Sequence, residues 1–433
     1  MRRALLSVFI LLLSVRLSPG YPSTQPLIIK AIVIEGNHKT KEAVIRRDIS
    51  LKPGDILNKR ELIKSRRRLR EGGYFSSVSL KPRSLYLPFE VLLEVKVVEG
   101  RSWDIFPGIT YSSDNPNLGG VGIALFALER NLFGSGKRGT LKGLYAEDRY
   151  IDLSVEDPHF LDSAMALDLN FSYQQGEWGL FARDQRVDEF DRKERKIKVD
   201  WGVPVGDRIQ LKGRFITHRV DDTNSNLLAE WGGKTISLGA GVCYDVRKNK
   251  LSPTTGFYGE MIADFSSEAL GADDSFIKVS LDLRRFFNPF RGQVLALRLL
   301  TENATSAAPF YEQPQLGGAS SMRGYERGRF VGHHSLLLNA EYRMELFKFG
   351  GGRSSAKTRN PWATALGPLK IDGVIFFDLG RTWTHQEKKK LSDLKNDQGI
   401  GLRFTPFPDL ILRFDYGLSK EDRRFYFTYG HLF

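Results

Sequence analysis

The alternation of apolar and polar side chains divides the chain into two regimes. From Leu27 to Glu35 the pattern is extended, with Ile28, Lys30, Ile32 and Ile34 on one side and Ile29, Ala31 and Val33 on the other. Gly36-Asn37 ends that run, and Thr40 opens a short helix in which Val44, Ile45 and Ile49 fall at helical spacing. Lys52-Pro53-Gly54-Asp55 is turn chemistry. Asn58 and Glu61 have the spacing of a capping box, and the helix they open points Leu62, Ile63 and Leu69 inward until Gly72-Gly73 stops it. Two strands follow, Tyr74 to Leu80 and Phe89 to Val98. The order strand, helix, helix, strand, strand predicts a small α+β domain over residues 26–99.

From Arg101 to Phe433 the period becomes two, in segments of roughly ten residues separated by turn signals. Short turns such as Pro204-Val205-Gly206-Asp207 and Asn288-Pro289-Phe290 take turns with long polar stretches near Gly176–Asp191, Asp221–Lys234, Thr301–His334 and His385–Asp397. One short, one long is the asymmetry of an antiparallel membrane barrel. At ~9–11 residues per tilted strand, residues 101–433 yield about sixteen strands. Closure would satisfy every backbone group in lipid and remove the sheet edges. The other fold this pattern allows is a soluble pair of β-sandwiches. Against it, Phe425, Phe427, Tyr429, His431 and Phe433 fall on one face of the last segment. Phe347 to Leu369 is long where a short turn is due.

Composition narrows the picture. Hydrophobic content of 41% and a mean hydropathy of −0.30 exclude a helical membrane protein, whereas 29 Phe, 15 Tyr and 42 Gly suit strands and turns. The single cysteine, Cys243, excludes an intrachain disulfide framework and a multi-thiolate metal site. Residues 1–20 read as a signal peptide: Arg2-Arg3, an apolar core from Ala4 to Val15, then Ser18-Pro19-Gly20. That core is too short to span a bilayer. The expectation is an exported chain that crosses no membrane with a helix. Residues 21–100 carry net +7 and residues 101–433 only +3. In an exported protein, a basic domain suits an anionic membrane surface rather than nucleic acid. Arginines 66 to 68 and Arg70 read as a solvated helix face, with contact to lipid headgroups as the second reading.

Catalytic readings find little support. The seven histidines are scattered, with His333-His334 a lone pair in a loop. Gly134-Ser135-Gly136-Lys137 lacks the glycine spacing of a phosphate-binding loop and is followed by Arg138, and no Gly-x-Ser-x-Gly occurs. We therefore expect a non-enzymatic protein with no cofactor and no metal.

Several landmarks carry a resemblance. Ile34-Glu35-Gly36-Asn37, Lys52-Pro53-Gly54-Asp55 and Gly72-Gly73-Tyr74-Phe75-Ser76-Ser77-Val78 resemble a polypeptide-transport-associated (POTRA) domain. Arg130 to Gly136, Glu156 to Leu161, Tyr244 to Arg247 with Pro253 to Gly256, and Leu316-Gly317-Gly318 with Met322-Arg323-Gly324-Tyr325 follow in order. Asn339 to Arg343, Phe376 to Gly380 and Gly399 to Arg403 complete the series. Together they resemble the BamA-like bacterial surface-antigen superfamily of outer-membrane assembly and polypeptide-transport barrels, as a short member with one POTRA domain.

The resemblance implies a periplasmic POTRA domain and an outer-membrane barrel that inserts outer-membrane proteins or translocates polypeptides. A dedicated secretor of one exported protein and a passive channel or surface protein are the alternatives. Implied partners are outer-membrane lipids, unfolded polypeptide clients and periplasmic assembly partners, with no nucleic acid. The resemblance also implies a lumenal latch, in which Arg323, between Met322 and Gly324-Tyr325, meets Asp378 and Glu341. It further implies a seam that opens between the first strand, with Pro107-Gly108, and the last, with Phe425, Phe427, Tyr429, Gly430 and Phe433. Met322 stands where the family usually has valine or a similar apolar residue, and relatives typically carry more POTRA domains.

Overall fold

The structure is a computed structural model and describes residues 26–85, 89–112, 120–146, 148–182, 185–222, 232–349, 369–387, 393–407 and 410–433. The signal-peptide reading, the greater part of the 347–369 stretch and the tips of the loops near 223–231 and 388–392 lie outside the described residues. The chain forms two compact units, one running to Ser102 together with Phe133–Gly136, the other comprising the remainder.

The first unit contains β1 (Ile28–Glu35), α1 (Glu42–Asp48), α2 (Lys59–Glu71), β2 (Phe75–Ser84) and β3 (Glu90–Glu99). The sheet order is β1-β3-β2, with β1 parallel and β2 antiparallel to β3. One side of the sheet packs on the helices through Ile29, Ile32, Val44, Ile45, Leu69, Val91, Leu93 and Val95. Strict alternation in β1 does not hold. The register shifts between Ile29 and Ala31, so Ile29 and Ile32 are both buried while Ile28 and Val33 are exposed. One extra residue in a strand flips every later side chain to the other face. Asn58 caps α2 by accepting from the Arg60 backbone N–H at 2.8 Å. Ile63, expected inward, is 49% exposed, because the buried stripe runs through Leu62, Ser65 and Leu69.

Glu99, at the end of β3, accepts from the backbone N–H groups of Lys39 (2.9 Å) and Thr40 (2.6 Å). Burial pushes its carboxyl up, but hydrogen bonds from the Thr40 hydroxyl and the Lys39, Thr40 and His38 backbone outweigh this and hold it below the usual range.

The second unit begins with β4 (Trp103–Ser112), β5 (Gly120–Leu132), β6 (Lys137–Tyr145), β7 (Arg149–Asp157) and β8 (Ala166–Ala182). It continues with β9 (Gln185–Val205), β10 (Ile209–Asp222), β11 (Gly233–Asp245), β12 (Gly256–Ser266), β13 (Phe276–Phe287) and β14 (Gln293–Ala304). Two short strands, β15 (Gln315–Leu316) and β16 (Phe330–Val331), pair with each other. The rest are β17 (His334–Phe349), β18 (Leu369–Trp383), β19 (Lys395–Phe407), β20 (Leu410–Leu418) and β21 (Arg423–Tyr429). Apart from the short pair these are sixteen strands in one antiparallel barrel sheet. The long polar stretch near Gly176–Asp191 is largely ladder, since β8 and β9 pair as far as Ala182 and Gln185.

Side chains alternate as a membrane barrel requires. Ile151, Leu153, Leu169, Phe171, Ile375, Phe377, Ile400 and Leu402 are exposed on the outside, while Asp152, Glu341, Asp378 and Arg403 are buried on the inside. Such a surface is the inverse of a water-soluble sandwich, and its apolar band is stable only against lipid.

Candidate functional site

The chain between β14 and β17 folds back into the barrel. A short 3-10 turn, Phe310–Glu312, precedes the β15–β16 pair, which holds residues 317–329 as a closed lobe. The Ser321 hydroxyl accepts from the Gly317 N–H at 2.8 Å and donates to the Gly317 carbonyl at 2.9 Å. Met322 is fully buried against Leu316 and Leu337. This packing sets the backbone from which Arg323 projects.

Arg323 is fully buried. Its Nε and Nη2 donate to the two oxygens of Asp378 on β18, each at 2.9 Å, a two-pronged contact that only a guanidinium makes. Nη1 donates to Glu341 Oε1 on β17 at 2.6 Å and lies 3.5 Å from Asp415 Oδ2 on β20. The guanidinium carbon sits 3.5 Å from the centre of the Phe376 ring. Asn339 donates to Asp378 at 2.8 Å and to the Ser321 carbonyl at 2.9 Å, tying strand and lobe together.

Further arginines complete the network. Arg403 bridges Glu341 (3.0 Å) and Asp415 (2.6 Å), Arg343 donates to Glu341 at 2.8 Å, and Arg413 donates to the Ala319 carbonyl at 2.6 Å. Gly324 permits the approach, since a Cβ there would lie 2.6 Å from the Asp397 Cβ and 2.9 Å from the Leu418 carbonyl carbon. Tyr325 donates to the Asn396 carbonyl at 3.0 Å and packs edge-on to Phe330.

The structure thus brings Met322, Arg323, Gly324, Tyr325, Glu341 and Asp378 into one cluster. Sequence reasoning missed Asn339, Phe376, Arg403, Arg413 and Asp415. Asn339 and Phe376 could have been found by extending the two-residue alternation from Glu341 and Asp378 along β17 and β18, whereas Arg403 on β19 and Arg413 and Asp415 on β20 need the register between strands as well.

The same lobe reaches the last strand. Tyr426 on β21 donates to the Tyr325 carbonyl at 3.1 Å, and Arg424 meets Glu326 at 3.1 Å. It also reaches the opposite wall. Glu312 is 2.7 Å from His218 Nδ1 on β10, whose Nε2 is 3.3 Å from Glu194 on β9. Arg327 stacks on Trp178 of β8 at 4.2 Å.

The seam has a different character from the other strand pairs. Among the described residues β21 and β4 share one registered pair, Tyr426 with Ser112. Phe427 and Tyr429 join Phe414, Leu410 and Leu412 in packing on Phe106, Phe126 and Leu128. By the alternation of β4 and β5 those last three face the lumen. Pro107 and Gly108 lie on β4, and a Cβ at Gly108 would be 4.0 Å from the Phe427 ring. Phe425, Phe427 and Tyr429 share one face of β21.

Gly430 and Phe433 require correction. The strand ends at Tyr429 and Gly430 takes φ +79°, so the ladder stops there. Phe433 packs on Phe286 of β13 and Ala296 of β14, and its carbonyl accepts from Arg343 at 3.3 Å. His431 likewise leaves the shared aromatic face and lies 3.3 Å from Ser252. Of the His333-His334 pair, His334 lies on β17 and contacts Asn303 at 2.9 Å and His385 at 3.1 Å.

A sixteen-stranded barrel with an apolar exterior, a charged interior, a buried arginine lobe and one small α+β domain defines an outer-membrane POTRA-barrel protein. The Omp85 superfamily domain matches residues 131–433, and a POTRA domain, the surface antigen variable number repeat, matches residues 27–100. The chain belongs to the Omp85 superfamily, with its barrel in the outer membrane and its POTRA domain in the periplasm.

It is similar to the outer membrane protein assembly factor BamA of Nitratidesulfovibrio vulgaris, 27% identical over 425 residues, covering 92% of this chain and 49% of that protein. The chain therefore spans about half the length of that curated relative. Among solved structures it is similar to BamA from Haemophilus ducreyi lacking POTRA domains 1–3 (TM-score 0.63, 16% identity, 93% of this chain, 84% of that one). CdiB from Acinetobacter baumannii gives a TM-score of 0.61 at 15% identity, with coverage of 94% and 74%. These two likenesses establish the fold.

Proposed function

We propose that this protein inserts or translocates polypeptides at the outer membrane without enzymatic chemistry, using the β4–β21 seam as its lateral exit. The observation that carries the reading is the contrast at β21. Among the described residues its backbone meets β4 in one registered pair, while its side chains Tyr426 and Arg424 are held by the buried lobe. A strand edge joined by side-chain packing can part without unzipping a full ladder. The exposed edge can then template an incoming strand. The lobe, anchored by Arg323, keeps β21 in place while the edge is free.

Unfolded clients first meet the POTRA domain. Its β1 edge is partly occupied, because Ile29 donates to the Asp55 carbonyl and Leu57 donates to the Leu27 carbonyl. The β2 edge is the better template for an extended client, with Pro82 limiting unwanted pairing. This assignment is supported by the similarity to an outer membrane protein assembly factor.

The seam is tested with cysteines at Gly108 and Phe427, in a background where Cys243 is serine, joined by a short thiol crosslinker. Crosslinked protein should lose the ability to support barrel assembly in depleted cells and regain it on release. Full activity while crosslinked would remove the seam from the mechanism. In the same depletion, loss of a single exported protein would indicate a dedicated secretor, and altered solute uptake alone a passive channel.

A further inference from the structure

Helix α2 carries seven basic residues in thirteen, Lys59, Arg60, Lys64, Arg66, Arg67, Arg68 and Arg70, against Glu61 and Glu71. The buried stripe of the helix uses Ser65 and Leu69 with Leu62 beside them, so the opposite face projects outward. That face reads Lys59, Ile63, Arg66, Arg67 and Arg70, spaced four, three, one and three residues apart, which is one helical surface. Ile63 is 49% exposed within it, and Ile56, just before the helix, is 59% exposed.

An ordinary solvated face would alternate its charges. Here Arg60–Lys64, Lys64–Arg68 and Arg66–Arg70 are like-charged at four-residue spacing, and Lys64–Arg67 and Arg67–Arg70 at three, an arrangement that destabilises a helix. Relief is slight. Arg67 reaches Glu71 at 3.6 Å, with both side chains mostly exposed, and Arg68 donates to the Ser50 hydroxyl at 3.1 Å. Among the described residues, Lys59, Lys64, Arg66 and Arg70 have no carboxylate at ion-pair distance. Within the domain the repulsion is left to solvent and salt, so an anionic surface would lower it further.

We propose that the α2 face, Lys59, Ile63, Arg66, Arg67 and Arg70, is a docking surface for anionic phospholipid headgroups. Three observations favour a lipid leaflet over an acidic protein. The charges along Arg66–Arg70 are guanidinium groups, whose planar fork matches phosphate oxygens. One exposed isoleucine, Ile63, interleaves with them and a second, Ile56, just precedes the helix, giving apolar side chains that can enter the headgroup boundary while the basic ones stay at phosphate level. Finally, only three residues, Gly100–Ser102, link the end of β3 to the start of β4. A short tether of this kind makes weak surface binding effective.

The test uses the full chain in nanodiscs of phosphatidylcholine, mixed with vesicles of phosphatidylcholine containing graded phosphatidylglycerol. Vesicle binding should rise steeply with phosphatidylglycerol and fall with salt. Arg66→Gln, Arg67→Gln and Arg70→Gln combined should weaken it about tenfold or more, since each basic group near an anionic surface contributes separately. Ile63→Ser should weaken it less. A control removing three exposed charges elsewhere on the domain, Lys30→Gln, Lys81→Gln and Arg83→Gln, should have a markedly smaller effect. Inorganic phosphate at matched ionic strength should not displace the vesicles; displacement would make the face a free-anion site and overturn the proposal. Equal loss in the control set would reduce the effect to net charge. Indifference of the parent protein to phosphatidylglycerol would leave an acidic protein as the partner and reject the lipid assignment. Amide exchange in the variants, matched to the parent, excludes unfolding as the cause.

Discussion

Arg323 holds more than one acid, and the acids do not depend on it equally. Glu341 retains Arg343 and Arg403 when the Arg323 side chain is removed, whereas Asp378 loses its cation and keeps neutral donors, the Asn339 amide and the backbone N–H of residue 323. Removing one partner of a buried ion pair costs about 3–5 kcal/mol, because it leaves a charge without compensation. Arg323→Ala should therefore lower the temperature at which the barrel loses its compact electrophoretic form, and Asp378→Asn in that background should recover part of the loss. Parent-like heat stability and pore conductance in Arg323→Ala would rule out a latch. Arg323→Lys should rescue poorly, since a point charge cannot reproduce two parallel bonds to Asp378.

Glu99 allows a pH statement of defined sign. Its carboxyl is held below the model-compound value of 4.5, so its contribution is fully present above that pH and is lost as pH falls through the lower, folded value. Amide exchange at Lys39 and Thr40, corrected for intrinsic rates, should accelerate as pH drops below about 4.5, and Glu99→Gln should abolish that step. At this scale much was legible. Arg323, Asp378 and Glu341 stand in recognisable motifs. Asp415 and Arg403 do not announce themselves, because an inward charge on a strand is identified only once the strand's facing is known.

Among the elements, β1 and the end of β21 departed from expectation for related reasons. Both were read as unbroken alternation, and both contain a local backbone irregularity: an extra residue near Lys30 in one, a left-handed Gly430 in the other. Alternation is a tertiary reading of a local pattern, and a single irregular residue inverts it. Glycine at 430 is chosen for its conformation, since a Cβ there would meet nothing within 4 Å. Gly430→Val should disfavour the bend by about 1 kcal/mol or more. Cysteines at Phe433 and Ala296 should crosslink in the parent and do so much less in that variant; unchanged crosslinking would show that packing on Phe286, rather than the glycine, sets the path of the tail.

At the scale of the whole molecule, the strand number and the α+β-then-barrel order were legible because each rests on many residues at once, where single errors average out. The seam was legible as a location but not as a geometry: nothing in the sequence of Phe427 says that it packs against Phe126 rather than beside it. The extent of β8 and β9 was hidden for another reason. Charge is dense along the outer part of β9, from Gln185 to Lys196, and glycines punctuate that of β8, so composition suggested loop where the ladder continues.

The lobe between β14 and β17 touches β8 and β10 on one side of the lumen and β17, β18, β20 and β21 on the other. A hoop without a crosspiece ovalises easily; one with a diametral strut does not. The strut divides the circumference into two arcs, β11–β14 and β4–β7, and only the second borders the seam. On the proposed lateral exit, opening with the strut in place would swing β4–β7 outward as a leaf, while β17–β21 stay stationary. Spin-label distances from β6 to β13 should broaden when clients are present, and distances from β18 to β9 should not.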